Sequence, residues 1–369
     1  MPLPLTDYSL YKEASVQGRY VVNEQIIEFL SAKSLNNLIK TEGYSVQERP
    51  IKSITLGTGP SKVLMWSQMH GNESTTTKGV LDLLNFLGSE THLAKNILKT
   101  CTLKIIPMLN PDGAVKYTRV NANEIDLNRD AQDQSQPESR ALRAVFKSFK
   151  PDFCFNLHDQ RTIFGVGKNP KPATVSFLAP AHDEVRGISK SRAVSMKLIV
   201  AMNQVLQNLI PEQVGRYDDA FNANCVGDTF QMLNVPTILF EAGHYQNDYQ
   251  REKTRMYTFY ALITALDCIS KDEMDNYSQQ GYFDIPENKK PFFDILIKNV
   301  PINGSSGSED VGLLYTEVLK DNSVIFEPKI DKRGNLTKFL GHKTYDCSNE
   351  SDVKQMKDLG IWSLLKNSR

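Results

Sequence analysis

The sequence predicts an α/β protein: a mixed, mostly parallel sheet flanked by helices, followed by a smaller β-rich region. Three observations carry this expectation. From about residue 50 to 270, short apolar runs alternate with amphipathic stretches of helical period, the pattern of strand and helix units around one sheet. Residues 103–108 are apolar except for Lys104, as expected of a strand covered on both faces. The alternation stops near Lys271, where Tyr, Phe and Pro cluster and apolar runs follow at 293–297, 311–318 and 323–326. Two domains are therefore expected, 1–275 and 276–369.

The elements follow in order. Residues 22–41 predict a helix, with apolar positions at Ile26, Ile27, Leu30 and Leu35. Residues 51–56 and 63–67 predict strands parted by the turn Gly57-Thr58-Gly59-Pro60. A helix over 75–87 carries the stripe Val80, Leu81, Leu83, Leu84 and Leu87. After the strand at 103–108 come a helix (138–149), strands (153–157 and 175–179), a long helix (191–209), a strand (237–241) and a closing helix (250–269). In the last region 303–308 and 332–335 are turn signals.

Composition narrows the function. Hydrophobic residues make up 40% and charged residues 23% of the chain, and the mean hydropathy is −0.38, values of a folded, water-soluble chain. Lys+Arg and Asp+Glu both number 43 and no long basic run occurs, so nothing draws the chain to nucleic acid or an anionic membrane. The most apolar window, 257–269, is broken by Thr and Asp and is too short to cross a bilayer. No basic segment followed by an apolar core opens the sequence, so no secretory signal is expected. The five scattered cysteines lack CxxC spacing, which argues against a disulfide framework or a cysteine zinc site and for reduced thiols in the cytoplasm.

Four local signals carry chemistry. His70-Gly71-Asn72-Glu73 follows the strand at 63–67, and a His and a Glu three apart at a strand exit can face one metal ion; a polar loop with a capping side chain is the structural alternative. His158 ends the strand at 153–157, at the edge where α/β sheets bind ligands. Asn110-Pro111-Asp112-Gly113 is an ordinary turn sequence that precedes Arg119 and the adjacent pair Asn128 and Arg129; such a pair can grip a carboxylate, and a further arginine can stabilise an oxyanion. Glu241 ends the apolar strand 237–241, where partial burial raises a carboxylate's pKa and suits it to act as a general base; a paired structural Glu is the alternative.

In this order, His70-x-x-Glu73, Asn110-Pro-Asp-Gly, Arg119, Asn128-Arg129, His158 and Glu241 resemble the zinc metallocarboxypeptidase family, with its carboxypeptidase A-like fold, over about residues 50–270. The resemblance implies one Zn2+ per chain held by His70, Glu73 and His158. It implies that Arg119 polarises the scissile carbonyl, that Asn128 and Arg129 hold the substrate's terminal carboxylate, and that Glu241 serves as general base and acid. Tyr217 is the candidate for the family's mobile tyrosine. The implied reaction is hydrolysis of the C-terminal amide bond of a peptide with a free carboxylate.

Asn72 departs from the digestive members, which carry an arginine there. The His-Gly-Asn-Glu form and the β-rich C-terminal region look more like the aspartoacylase and succinylglutamate desuccinylase branch, whereas the full Asn-Pro-Asp-Gly motif and Arg119 favour the peptidases. A zinc-dependent N-acyl amino acid amidohydrolase is thus the alternative, and a non-catalytic binding protein on the same fold is the rival from another class. Residues 221–228 are expected to build the specificity-pocket floor. His92, His182 and His342 read as surface residues, His244 as structural, and Asp159 as pointing away from His158.

Overall fold

The structure, a computed structural model, describes residues 7–33, 38–168, 170–302 and 306–367. Its elements are α1 (Asn23–Ala32), β1 (Ile39–Tyr44), β2 (Pro50–Leu56), β3 (Ser61–Ser67), α2 (Thr75–Leu87), α3 (His92–Thr100), β4 (Cys101–Ile106), α4 (Pro111–Lys116), α5 (Pro137–Phe149), β5 (Phe153–Asp159), β6 (Gly165–Val166), β7 (Lys171–Pro172) and β8 (Val175–Leu178). They continue with α6 (Lys190–Leu209), β9 (Val214–Arg216), α7 (Val226–Met232), β10 (Thr237–Ala242), α8 (Glu252–Ser270), α9 (Gln280–Asp284), β11 (Phe292–Pro301), β12 (Ser308–Lys320), β13 (Ser323–Gly334), β14 (Leu340–Asp346), α10 (Glu350–Asp358) and α11 (Ile361–Asn367).

Eight strands form one mixed sheet in the order β1-β2-β4-β3-β5-β10-β8-β9. Its centre is parallel: β3 pairs with β4 and β5, and β5 with β10. Side chains alternate across it, as the strand period demands. Val63, Met65, Phe155, Leu157, Ile238 and Phe240 pack with α2, α6 and α8 in one core, whereas Leu64, Trp66 and Cys154 pack with α5 and α7 in another. Burial on both faces explains why the central strands read as apolar runs. A separate four-stranded sheet, β13-β12-β11-β14, has its own core around Ile295, Ile297, Val311, Leu313 and Tyr345. The segment before it packs on the first sheet: Tyr282 is fully buried and accepts a hydrogen bond from the Ala179 N–H.

The structure corrects several expectations. The helix expected over 22–41 ends at Ala32, and the edge strand β1 follows; Leu35 lies outside the described residues, as do 303–305 of the expected turn. The helix α3 and the short strands β6, β7 and β9 were not anticipated, and β4 is Cys101–Ile106, two residues earlier than expected. His342 is half-buried rather than a free surface residue. Its ring stacks on Phe292 (centroids 4.5 Å apart), lies 4.1 Å from the His244 ring, and donates from Nε2 to the Thr162 carbonyl. No helix among the described residues is long and apolar enough to cross a membrane. All five cysteines are free.

Candidate functional site

β3, β5 and β10 run parallel, so their carboxyl ends share one edge of the sheet. His70 lies just beyond β3. His158 and Glu241 are register partners on β5 and β10, which puts both side chains on the same face. The next residue, Asp159, therefore points to the other face, as expected. There it caps α2, accepting from the Thr75 and Thr76 N–H groups. The His70 to Glu73 loop is a tight turn, with the Glu73 N–H on the His70 carbonyl. A Cβ on Gly71 would fall 1.9 Å from the Gly113 carbonyl carbon, so the loop packs here only with glycine. Asn110-Pro-Asp-Gly is the other side of that contact. Asn110 caps α4 by accepting from Gly113 N–H at 2.8 Å and donates to the Met69 carbonyl at 3.1 Å. The motif supports the His70 loop rather than entering the cavity.

His70, Glu73 and His158 are buried, with ligand-type atoms all within 4.8 Å of one another. His70 Nδ1 lies 2.8 Å from Glu73 Oε1, His158 Nδ1 lies 2.8 Å from Oε2, and the two Nδ1 atoms are 3.1 Å apart. These separations are a little inside the roughly 3.3 Å edge of a tetrahedron with bonds of about 2.0–2.1 Å. Two imidazole nitrogens and a carboxylate converging in a buried space are short of protons and suited to a cation. His70 Nε2 lies 3.1 Å from Asp126 Oδ1; donating its proton there leaves Nδ1 as the lone-pair nitrogen facing the cluster. Burial works against charge on all three residues, yet Glu73 and Asp126 raise the His70 pKa, and both histidines hold Glu73 well below the usual carboxylate range. His158 is shifted down, chiefly by burial, and its Nε2 has no hydrogen-bond partner among the described residues.

One cavity of about 710 Å³ gathers the remaining candidates: Arg119, Asn128, Arg129, Tyr217 and Glu241 all line it with His70, Glu73 and His158. Glu241 is 8% exposed and its Oε2 has no hydrogen-bond partner among the described residues. Burial, then the charges of Glu73 and Asp159, raise its pKa well above the ordinary value. Gly243, two residues on, lets the backbone approach closely, since a Cβ there would lie 1.9 Å from the Ala173 carbonyl oxygen. Arg119, half-exposed, donates to Asp126 Oδ2 at 3.0 Å and Glu73 Oε1 at 3.3 Å. Asn128 Oδ1 accepts from the Val226 N–H, and Arg129 donates to the Asn128 carbonyl and to Cys225 Sγ. Tyr217 packs 5.4 Å from the Phe164 ring; burial and then the Glu241 charge push its phenol upward.

Of the expected floor, Cys225, Gly227 and Asp228 line the cavity, with burial holding Asp228 up at about 7. Sequence reasoning missed Asp126, although it stands inside the Asp-Leu-Asn-Arg run. It also missed Arg19, Tyr249, Tyr315, Glu317 and Phe326, which line the same cavity and have no local motif.

The fold is that of the metallocarboxypeptidase-like class of α/β protein. Residues 25–205 match the family described as zinc carboxypeptidase. The chain is similar to carboxypeptidase 2 of Trichophyton rubrum, 29% identical over 27% of this chain and 19% of that protein. It is similar also to carboxypeptidase SOL1 of Arabidopsis thaliana, 30% identical over 31% of this chain and 28% of that one. The chain thus spans less than a third of either relative. Among solved structures it shares the fold of a metallo-carboxypeptidase from Burkholderia cenocepacia (TM-score 0.53, 20% identity, 68% of this chain and 69% of that one). Carboxypeptidase A from Helicoverpa armigera is a second such neighbour (TM-score 0.54, 18% identity, 68% and 74%).

Proposed function

We propose that this chain is a zinc-dependent carboxypeptidase that hydrolyses the C-terminal amide bond of a peptide with a free carboxylate. The observation that carries the reading is the shared cavity: the buried His70, Glu73 and His158 cluster, a buried Glu241 whose Oε2 has no partner among the described residues, and the Asn128–Arg129 pair all face one space.

His70, Glu73 and His158 would hold one zinc per chain, which supplies Lewis acidity toward a carbonyl and an acidified water. Arg129 and Asn128 bind the terminal carboxylate and so fix which amide lies at the cluster. Glu241, made a better proton acceptor than an exposed carboxylate by burial and the neighbouring Glu73, takes the water's proton during attack and returns it to the leaving amine. Arg119 donates to the carbonyl oxygen as negative charge develops there. Tyr217 closes the cavity beside the substrate.

One observation favours the second reading, an N-acyl amino acid amidohydrolase. Asp294, Leu314, Tyr315, Glu317 and Phe326 of the C-terminal sheet line the cavity and restrict what lies on the acyl side. We take residues 1–275 as the catalytic unit and 276–369 as a covering unit, and the scattered free cysteines as those of a cytoplasmic protein. A panel of N-blocked dipeptides and N-acylated amino acids, assayed with and without chelator, tests both readings. Chelator-sensitive release of C-terminal residues from the dipeptides is expected. Turnover of acyl amino acids alone would transfer the assignment to the second reading, and activity indifferent to chelator would overturn both.

A further inference from the structure

We infer that the C-terminal sheet builds part of the substrate site: Tyr315 and Phe326, with Tyr249, form a wall that receives an aromatic or apolar side chain on the acyl side of the scissile bond. The inference rests on the carboxypeptidase reading, because it takes the substrate's carboxylate to lie at Arg129.

The wall is built from rings. Tyr315 on β12 and Phe326 on β13 line the cavity together with Tyr249 and Leu314. Ring centroids are 5.0 Å apart for Tyr249 and Tyr315, 5.4 Å for Tyr249 and Phe326, and 6.1 Å for Tyr315 and Phe326. All three residues are half-buried, so ring surface remains open to a ligand. The two acidic groups beside them are spent within the protein. Asp294, 2% exposed, accepts from the Tyr249 hydroxyl at 2.9 Å and the Tyr315 N–H at 2.8 Å. Glu317 is taken up by Arg19, at 3.1 Å, and by the Tyr117 hydroxyl. A wall that has neutralised its own charges and still offers ring faces selects an apolar or aromatic group, not an ionic one.

A chain of contacts fixes which part of the substrate meets the wall. The Asn128 N–H bonds Asp126, Asp126 bonds His70, and His70 meets Glu73. Ser74 then donates to the Arg19 carbonyl, and the Arg19 guanidinium reaches Glu317 and the Tyr249 carbonyl. Through bonded neighbours the His70, Glu73 and His158 cluster is thus joined to the Asn128–Arg129 pair by Asp126 and to the aromatic wall by Ser74 and Arg19. A substrate with its carboxylate at Arg129 and its scissile carbonyl at the cluster continues toward Tyr249, Tyr315 and Phe326. These two sheet residues lie outside the stretch 25–205 that matches the family.

The test is equilibrium binding to the full chain after chelator treatment, which prevents turnover, with folding checked by circular dichroism. The probes are N-acetyl-Phe-Leu and N-acetyl-Gly-Leu. The Phe peptide should bind about tenfold tighter, an effect of the size aromatic packing supports. Phe326→Ala should shrink that ratio at least about threefold, and Phe326→Leu, which keeps the sheet packed but removes the ring, should shrink it too. Equal affinities in the unaltered chain, or an unchanged ratio in a folded Phe326→Leu variant, would overturn the inference. Arg129→Ala reports separately on the reading beneath it by weakening both peptides alike. If it weakens neither while Phe326→Leu still lowers the ratio, the carboxylate assignment fails and the wall stands.

Discussion

Asp126 joins His70 to Arg119: its Oδ1 lies 3.1 Å from His70 Nε2 and its Oδ2 lies 3.0 Å from Arg119 Nε. One carboxylate thereby fixes the tautomer of a candidate metal ligand and the reach of the arginine assigned to the carbonyl oxygen. Burial opposes its ionisation, but His70 and Arg119 together keep its pKa below the ordinary carboxylate value. Asp126→Asn should lower zinc affinity by about 10- to 100-fold, the usual cost of losing a ligand's hydrogen-bond partner. His70→Ala and His158→Ala should abolish stoichiometric zinc while the chain stays folded, because the cluster sits at the sheet edge. Metal content after dialysis, measured beside circular dichroism, checks all three. Stoichiometric zinc retained by both alanine variants would refute the ligand set.

Arg129 tests the choice of substrate end. The contact it offers a carboxylate is typically worth about 1.5–3 kcal/mol, or roughly 10- to 100-fold. Arg129→Ala should reduce kcat/KM on a free-acid peptide by that factor and change the corresponding C-terminal amide, poor from the start, very little. Equal losses on both substrates would mean that Arg129 does not read the carboxylate.

The buried pair Asp82–Arg255 tests what locks the N-terminal segment to the helical layer. Both side chains are 0% exposed, with Arg255 Nε 2.7 Å and Nη2 2.6 Å from the carboxylate. Asp82 also accepts from the Tyr8 hydroxyl and the Glu13 N–H, and Arg255 donates to the Val16 and Glu13 carbonyls. Removing one partner of such a pair leaves an uncompensated buried charge and costs about 3–5 kcal/mol. Asp82→Ala should lose that much in denaturant unfolding, and Asp82→Ala combined with Arg255→Met should recover part of it. A loss under about 1 kcal/mol, the level of an exposed pair, would show that water reaches this pair.

The parts legible in the sequence are those set by local pattern. β3, β5 and β10 are buried on both faces, so their apolar runs announce them, and the residues at or just beyond their ends, His70, His158 and Glu241, become candidates once the spacing to Glu73 and the order of the motifs are added. Helix periodicity failed where the chain changes period: Ile26, Phe29 and Leu30 pack as a helix stripe, but β1 at the sheet edge is polar and half-exposed, so nothing in it signals a strand. Contacts made across long separations left no trace. Arg19 and Glu317 are 298 residues apart, and His342 meets Thr162 over 180 residues, so neither the cavity's aromatic wall nor the packing of His342 follows from neighbouring residues.

Glu241 links catalysis to stability through one shifted proton. Its raised pKa comes first from burial and then from Glu73 and Asp159, so the folded, metal-free chain keeps the proton at a pH where the unfolded chain has lost it. Below the ordinary carboxylate pKa, near 4.5, both states are protonated and the group contributes nothing to pH dependence. As pH rises above that value the unfolded chain deprotonates first, and the folded state is progressively destabilised until its own raised pKa is passed. Glu241→Gln removes that penalty. The metal-free variant should therefore melt at a higher temperature than the unaltered chain near pH 7 and at nearly the same temperature at pH 4. Turnover should move the opposite way. Gln keeps the shape but cannot take a proton, so kcat should fall by at least about 100-fold, the lower end for losing a general acid–base, with zinc retained. The acidic limb of the pH–rate profile, which Glu241 sets by needing to be deprotonated, should vanish from the residual activity. Loss of zinc in this variant would make Glu241 a ligand or a support. Near-normal turnover would move the base elsewhere, with Asp159 and His244 the next residues to replace.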